Sequence, residues 1–500
     1  VCGSVVRIFQ KLHYHILIDP LVLSIARTGG SVQVAICLRF QRATYIMKIV
    51  RIVCNRNFPY EIAMFRSLAL VVLAFILSAD ARADRPNIVL ILADDLGYGS
   101  LGCYGSATNR TPEIDRLARE GMRFTDFHSN GPFCTPTRAA LMTGRYQQRC
   151  EWVADEKLSP AFAAQRRANM KQRFAWGISL EETTIADLLR TAGYRTALIG
   201  RWHLGYDFDF HPMNQGFDLF RGFVSGGVDY HTHIARHGLQ QLDWWRQKEI
   251  RNEPGYSTDL LTDYAVEFIE RYRTEPFFLY VAHGAPHLPL QVRDPNTKKP
   301  RIAVYHEMIE TLDESVGRIR GALQTAGLEK NTLLIFCSDN GATRNPDPAA
   351  NRPLRGGKGS MYEGGHRVPC IAVMPDRIPA DVVCRQTVMT MDFFPTFASL
   401  AGVDVPASVA IDGVDLTPLF MGKKPPAART LHWEMAGAWV VRQGNWKLIG
   451  EGQDPKELFN LAEDIGEGDN KITDQPELVQ SLTESHRLWS RAVKVEIPEK

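Results

Sequence analysis

The sequence predicts a large, doubly wound, mainly parallel α/β sheet followed by a smaller α+β domain, and three observations predict it. Short apolar runs alternate with helical patterns along most of the chain, as strands and crossover helices do in a parallel sheet covered on both faces. From about Asp412 that alternation gives way to short segments with turn residues and Trp433, Trp439 and Trp446. Composition is the third: 500 residues at 45% hydrophobic, 10% aromatic and 23% charged hold enough core formers for one or more full cores. With 58 Lys+Arg against 56 Asp+Glu the charge nearly cancels, so a basic protein held on nucleic acid by phosphate contacts is disfavoured. Gly 39, Pro 28 and Cys 9 over this length exclude a collagen, a coiled coil and a small disulfide scaffold.

Residues 1–63 show neither helical nor strand periodicity and are expected to lie outside the mature protein, as an extension or through a start codon placed too far upstream. Residues 64–83 then have the layout of a secretory signal peptide: Met64, a basic Arg66, an apolar run from Leu68 to Leu77, and small residues at Ala79, Ala81 and Ala83. The run is shorter than the ~20 residues a membrane span needs, so no stable membrane anchor is expected. Export places the protein in an oxidising periplasmic or extracellular compartment. The remainder divides into a large domain over 84–408 and an α+β subdomain over 409–500 built on a short antiparallel sheet.

Within the large domain, Asn87 to Ala93 (NIVLILA) reads as a fully buried strand and Pro112 to Glu120 as a helix. A helix from Thr184 to Ala192 precedes a strand from Thr196 to Gly200. A helix from Tyr264 to Tyr272 precedes the strand PFFLYVAH. The longest helix runs from Tyr305 to Ala326, where Ile309, Leu312, Val316, Ile319 and Leu323 recur at intervals of three and four. It leads into the strand NTLLIFC. A strand from Val368 to Met374, a helix from Phe393 to Leu400 and a last helix near Glu477 to Val493 complete the series. No internal repeat or low-complexity tract is visible.

An open α/β sheet binds its ligands at the carboxyl ends of its strands. The first strand runs into Asp94-Asp95, and the strand ending at Cys337 runs into Asp339-Asn340. Taken alone, each pair reads as a turn or a helix cap. Brought together, they make an oxygen cage suited to a hard divalent cation, Ca2+ or Mg2+.

Residues 134–144 read CTPTRAALMTG, and this C-x-P-[ST]-R core followed by Thr-Gly resembles the signature of the type I sulfatases, in the alkaline phosphatase superfamily. The resemblance extends from Arg85 to the C-terminus through RPNIVLILADDLGYGSLGCYG, GYRTALIGRWHLG, APHLP, SDNGA, GKGSMYEGGHRVP, GNWKLI and ELFNLAED, in the family's order. It implies an alkaline phosphatase-like fold and an exported sulfuric ester hydrolase, closest to the arylsulfatase A and N-acetylgalactosamine-6-sulfatase branch, with a sulfated carbohydrate as substrate. Cys134 would be oxidised by a formylglycine-generating enzyme to Cα-formylglycine, an aldehyde whose hydrate is the nucleophile. A gem-diol has a second hydroxyl through which sulfate is expelled as the aldehyde re-forms, which splits a difficult hydrolysis into two steps.

The same resemblance assigns the other residues. Asp94, Asp95, Asp339 and Asn340 are the expected metal ligands, for Ca2+ with Mg2+ as the alternative. Arg138, one helical turn after Cys134, steadies the aldehyde hydrate and the carboxylates. His203 takes a proton as sulfate leaves. His287 and Lys358 grip the bridging oxygen and stabilise or protonate the leaving alcohol. One position departs from the pattern: Arg201 stands where the family has a Lys that contacts the substrate sulfate. Arginine keeps the charge and adds a planar fork, but it is bulkier and does not give up a proton.

Two rivals remain. A phosphodiesterase or phosphonate hydrolase of the same superfamily would use the same nucleophile, and a catalytically inactive secreted glycan-binding protein would keep the fold without the chemistry. Other features are less specific. His231 and His233 in the YHTH stretch have a spacing that permits metal ligation, but read better as residues lining the cleft or exposed. The basic stretch from Glu156 to Arg173 reads as a solvated helix or a lid over an anionic polymer. Five cysteines besides Cys134 remain after residue 83, so at least one is unpaired, and spacing does not assign partners.

Overall fold

The computed structural model describes residues 85–150, 177–236, 240–343, 346–423 and 425–493, together with the backbone of five strands between His13 and Val53. The predicted signal segment and the basic stretch from Glu156 to Arg173 fall outside the described residues. By its contacts the chain divides into two units, Val1–Arg82 and Ala83–Lys500.

The first unit contains a five-stranded antiparallel sheet made of His13–Ile18, Leu21–Thr28, Ser31–Phe40, Ala43–Ile46 and Val50–Val53. This corrects the expectation that residues 1–63 lack strand periodicity. Val32, Val34, Ile36, Leu38 and Phe40 do alternate, but Ala35 and Cys37 between them blur the pattern into a continuous apolar run.

The second unit is built on a ten-stranded sheet. Its central strands are β1 (Asn87–Ala93), β3 (Arg195–Arg201), β4 (Leu219–Phe223), β7 (Phe277–Ala282) and β8 (Thr332–Ser338), and the order β4-β3-β7-β1-β8 is parallel throughout. Antiparallel strands finish both edges. On one side lie β5 (Trp245–Arg246) and β6 (Glu249–Ile250), on the other β9 (Cys370–Val373), β2 (Met122–Phe124) and β10 (Val382–Cys384), the last parallel to β2.

Alternation along β1 shows why its sequence is apolar without a break. Ile88, Leu90 and Leu92 join one core with the helices α2 (Cys134–Thr143), α3 (Ile185–Thr191) and α7 (Phe393–Ala401). Val89, Ile91 and Ala93 join the other with α1 (Pro112–Glu120), α4 (Ser257–Arg271) and α5 (Arg301–Thr325). Both faces are covered, so every side chain of the strand is buried, each contributing about 1.5–3 kcal/mol for the larger residues. The fold class therefore holds as predicted.

Helix starts differ from expectation where local polarity hid them. The longest helix begins at Arg301, directly after Pro300, and α4 begins at Ser257, because its first turn, Ser-Thr-Asp, resembles a loop. Within α5, Asp313 caps a neighbour: its carboxylate accepts from Glu113 N (3.2 Å) and Ile114 N (2.8 Å) at the start of α1.

After residue 409 the chain forms an antiparallel meander, β11 (Thr430–Met435), β12 (Ala438–Gln443), β13 (Trp446–Glu451) and β14 (Asp454–Asn460). One face, with Trp439, Val441, Leu448 and Leu458, is covered by Leu482 of the last helix, α8 (Pro476–Val493). The other, with Trp433, Val440 and Phe459, packs on Ala140 of α2 and on Met389.

Candidate active site

Register places the ends of the central strands level with one another: Ala93 lies beside Ser338, Leu92 beside Ala282, and Ala282 beside Gly200. The residues that follow therefore converge on one edge of the sheet. Asp94 and Asp95 leave β1, Asp339 and Asn340 leave β8, His287 follows β7, and β3 ends on Arg201 with His203 two residues on. Gly200 has φ +118° and backs so closely on β7 that a Cβ there would lie 1.9 Å from Ala282 O. Only glycine allows Arg201 to be delivered from that position. Asp95 and His203 also take left-handed backbone conformations, at φ 64° and 57°, a mark of turns shaped for a site.

Cys134 is the first residue of α2, a helix buried all round, and is 5% exposed. Its position at a helix N-terminus favours negative charge nearby. Arg138, one turn further, is 1% exposed and acts as a brace. Its guanidinium donates to Asp339 Oδ2 (2.9 Å), to Asp94 Oδ2 (3.4 Å) and to the carbonyl of Arg201 (2.8 Å). Asp95 N donates to Asp339 Oδ1 (3.2 Å), and Asn340 Nδ2 to Asp95 Oδ1 (2.7 Å). The four expected metal ligands thus form one hydrogen-bonded group.

Four further cations and imidazoles close over it. Arg201 is ion-paired to Asp94, and its Nη2 donates to Cys134 Sγ (3.2 Å) and to His203 Nδ1 (2.9 Å). Arginine has only donors, so Nδ1 of His203 accepts and the neutral ring carries its proton on Nε2. Thr135 Oγ1 lies 3.2 Å from the same Nδ1. Lys358 Nζ rests 2.6 and 2.8 Å from the two oxygens of Asp95, and His287 Nε2 lies 3.8 Å from that carboxylate. Burial, then the charges of Arg201 and Lys358, hold His287 well below the usual histidine value. Burial works against the charge of Lys358, but the adjacent Asp95 outweighs it and raises the pKa.

The donor set suits a divalent cation. Asp94 Oδ1 and Asn340 Oδ1 are buried without a hydrogen-bond partner, although buried acceptors are ordinarily satisfied. Asp94, Asp95 and His287 also offer ligand atoms within 4.8 Å of one another. Carboxylate and amide oxygens in such a group are the chemistry of a hard ion.

All ten residues singled out from the sequence, Asp94, Asp95, Cys134, Arg138, Arg201, His203, His287, Asp339, Asn340 and Lys358, come together here. Others went unread. Thr135 lies inside the quoted signature, while Tyr280, whose hydroxyl is 3.5 Å from Arg138 Nη1, sits in a strand with no signal beyond its apolar run. Tyr230 braces the His287 turn, donating to the carbonyls of Gly284 (2.6 Å) and His287 (2.9 Å). The two histidines beside it do not converge. His231 Nε2 donates to Val292 O (2.9 Å), and His233 is fully buried, stacked on Trp244 with ring centroids 4.0 Å apart. That corrects the expectation of two exposed or cleft-lining rings, and no three-ligand group forms around them among the described residues. Among the described residues, Cys103, Cys150, Cys337, Cys370 and Cys384 form no disulfide. No helix among the described residues is long and apolar enough to cross a membrane.

Comparisons with known proteins agree with this geometry. The family model described as sulfatase matches residues 86–403, and that described as N-sulphoglucosamine sulphohydrolase, C-terminal, matches 357–488. The N-acetylgalactosamine-6-sulfatase of Canis lupus familiaris is 37% identical over 378 residues, 73% of this chain and 71% of that protein. Arylsulfatase G of Rattus norvegicus is 32% identical over 487 residues, 85% of this chain and 90% of that protein. Among solved structures, Ps i-CgsB in complex with k-i-k-neocarrahexaose has a TM-score of 0.73 at 33% identity, over 81% of this chain and 93% of that one. The phosphonate monoester hydrolase of Agrobacterium radiobacter, with a TM-score of 0.58 at 21% identity over 82% of this chain and 96% of that one, shares the fold. A family match spanning most of the second unit, relatives above 30% identity and a Cys-headed helix facing an acidic cage lead to one conclusion: the chain belongs to the sulfatase family and is a sulfuric ester hydrolase.

Proposed function

We propose that this sulfatase is exported and releases inorganic sulfate from a sulfated carbohydrate, through Cα-formylglycine made from Cys134 and a bound Ca2+. The observation that carries the reading is the bridge Arg201 makes between Asp94, Cys134 Sγ and His203 Nδ1, which sets a guanidinium beside the nucleophile position. A planar fork at that point suits a sulfate oxygen and binds it bidentately. The carbohydrate substrate is supported by the relatives, one named for N-acetylgalactosamine 6-sulfate and one solved with a neocarrahexaose.

Asp94, Asp95, Asp339 and Asn340 would hold the cation, which when bound supplies a Lewis acid for the sulfate and the nucleophile. The protein's own groups do the rest. Arg138 keeps Asp94 and Asp339 oriented. Arg201 and Lys358, now lying on Asp94 and Asp95, turn toward an anionic substrate when it enters. His203 Nδ1, held as an acceptor on the side of Arg201, is placed to take a proton. Lys358 and His287 flank Asp95 and face the oxygen that leaves with the sugar, where they would stabilise or protonate it. Export rests on the layout of residues 64–83. A formylglycine-generating enzyme is then the partner in maturation.

The test is the mass of the tryptic peptide from Phe124 to Arg138, taken from protein exported by its own host or co-expressed with a formylglycine-generating enzyme. The expected product has a carbonyl in place of the Cys134 thiol, trappable by hydrazine. An unmodified thiol under those conditions overturns the reading. Rates on 4-nitrophenyl sulfate above those on the bis(4-nitrophenyl) phosphate diester are expected, and the reverse order would move the assignment to a diesterase.

A further inference from the structure

A second cluster of buried ionisable groups lies under the active site and takes no part in the chemistry proposed above. Glu363 and His366 form the two ends of a short helix, α6 (Glu363–His366), directly after the loop that carries Lys358. Lys447 of β13 reaches this helix from the C-terminal sheet. Its Nζ is 2.9 Å from Glu363 Oε1, 2.8 Å from Glu467 Oε1 and 3.2 Å from His366 Nε2, and the side chains of Lys447, Glu363 and Glu467 are all 0% exposed. Glu363 N donates to Glu467 Oε2 (2.7 Å). Arg442 of β12 holds Asp126 through both carboxylate oxygens, and Arg367 reaches Glu363 at 3.1 Å. His128, Glu363 and His366 have the spacing of a metal site, but the ammonium of Lys447 is bonded to two of the three.

Backbone contacts connect this cluster to the active site. Gly341, next to Asn340, donates to Gly365 O (3.0 Å), and a Cβ on it would lie 1.8 Å from Gly364 O. Lys358 N donates to Ala342 O (3.0 Å), and Gly359 N to Pro132 O (2.9 Å), two residues before Cys134. The loop from Arg355 to His366 is thus wedged between the metal-ligand turn and the approach to Cys134. Its underside is held by the C-terminal sheet, at Lys447 and through Tyr362 OH, which donates to Glu457 Oε2 (2.6 Å).

We propose that Lys447 is a positioning residue for Lys358: by pinning Glu363 it fixes the loop that sets the Lys358 ammonium at the leaving-group oxygen. The C-terminal sheet then takes part in catalysis without touching substrate. This rests on the role given to Lys358 above, and the experiment separates the two. Phenyl sulfate and 4-nitrophenyl sulfate are close in size but differ in leaving-group ability, and a group acting on the leaving oxygen matters more for the poorer one. The ratio of kcat/KM on the two substrates does not depend on how much of a preparation is active. Lys358→Met should lower that ratio for phenyl sulfate by about tenfold or more. Lys447→Met is expected to shift it in the same direction by at least threefold. Equal losses on both substrates in Lys447→Met, with the shift present in Lys358→Met, would overturn the inference alone. No shift in Lys358→Met would overturn the role of Lys358 and the inference with it. Should Lys447→Met fail to fold, Lys447→Met/Glu363→Gln, which removes one charge of each sign, is read by the same ratio.

Discussion

Two buried charge clusters sit a few residues apart along the loop from Arg355 to His366, and they are built differently. At the catalytic end, Asp94, Asp95 and Asp339 face Arg138, Arg201 and Lys358, yet Asp94 Oδ1 and Asn340 Oδ1 are left without donors and Lys358 keeps 13% of its side chain in solvent. Beneath it, Asp126, Glu363 and Glu467 face Arg367, Arg442 and Lys447, and the triad Lys447, Glu363 and Glu467 is sealed, its one acceptor without a hydrogen bond, Glu467 Oε1, held by the Lys447 ammonium at 2.8 Å. Both clusters balance three charges against three. The difference lies in what holds them: strand-end turns in the first, the C-terminal sheet packed on α6 and the turn at Asp126 in the second. A buried cluster that keeps spare acceptors and mobile cations is prepared to exchange partners, whereas a closed one fixes geometry.

The comparison is most sharply tested by removing one charged group from each cluster. Asp339→Asn should lower kcat on 4-nitrophenyl sulfate by about a thousandfold or more, since it takes a proposed metal ligand and the main partner of Arg138. Its melting temperature without calcium should fall, because the buried Arg138 loses its main carboxylate partner, and the rise on adding calcium should vanish. A variant that still gains stability from calcium breaks the assignment of the open cluster. In the closed cluster the effect should fall on stability. Lys447→Met strands Glu363 and Glu467 and should lower the unfolding free energy by about 3–5 kcal/mol in urea titration, and a loss below about 1 kcal/mol would show the cluster to be less closed than its geometry.

Arg201 sharpens the contrast from the catalytic side. Arg201→Ala should lose about a hundredfold in kcat/KM, and Arg201→Lys should stay within about tenfold, as a point charge replaces a fork. Equal activity of the Ala variant at saturating substrate would mean that the guanidinium serves only to hold Asp94. The smallest effect concerns acid. His432 of β11 is buried against Trp489, with ring centroids 4.7 Å apart, and burial followed by the neighbouring His486 pushes its pKa down to about 3. Its folded value lies below the unfolded one, so the stability it contributes is complete above pH 6.5 and is lost as pH falls toward 3, by at most about 1.4 kcal/mol per pH unit. Urea titrations at pH 7 and pH 5 check this, and His432→Phe should flatten the difference. An unchanged slope would remove His432 as the source.

The open cluster was legible in the sequence and the closed one was not, for a physical reason. Catalytic residues follow strand ends in short contiguous motifs, so Asp94-Asp95, Cys134 with Arg138, and Asp339-Asn340 each announce themselves. Lys447 and Glu467 sit on short strands and turns far along the chain from Asp126 and Glu363, and a lone Lys in a strand reads as a solvated residue until the sheets are packed. Glu363 and His366 fell inside one quoted motif, GKGSMYEGGHRVP, and Lys447 inside another, GNWKLI, but only Lys358 was drawn from them. Apolar periodicity located β1, β3, β7, β8 and α1, while β4, the polar first turn of α4 and the half-masked alternation of Ser31–Phe40 escaped it.

The helix that presents Cys134 also constrains the order of events in the cell. Every residue from Cys134 to Thr143 is buried, and the helix is enclosed by α7 on one side and by the C-terminal sheet on the other. A modifying enzyme needs an extended stretch of chain to grip, and the folded protein offers none there. On the function proposed above, conversion of Cys134 would therefore belong to the nascent chain, before the last ninety residues have folded back to close over it. A thiol carried into the native state would then be locked in.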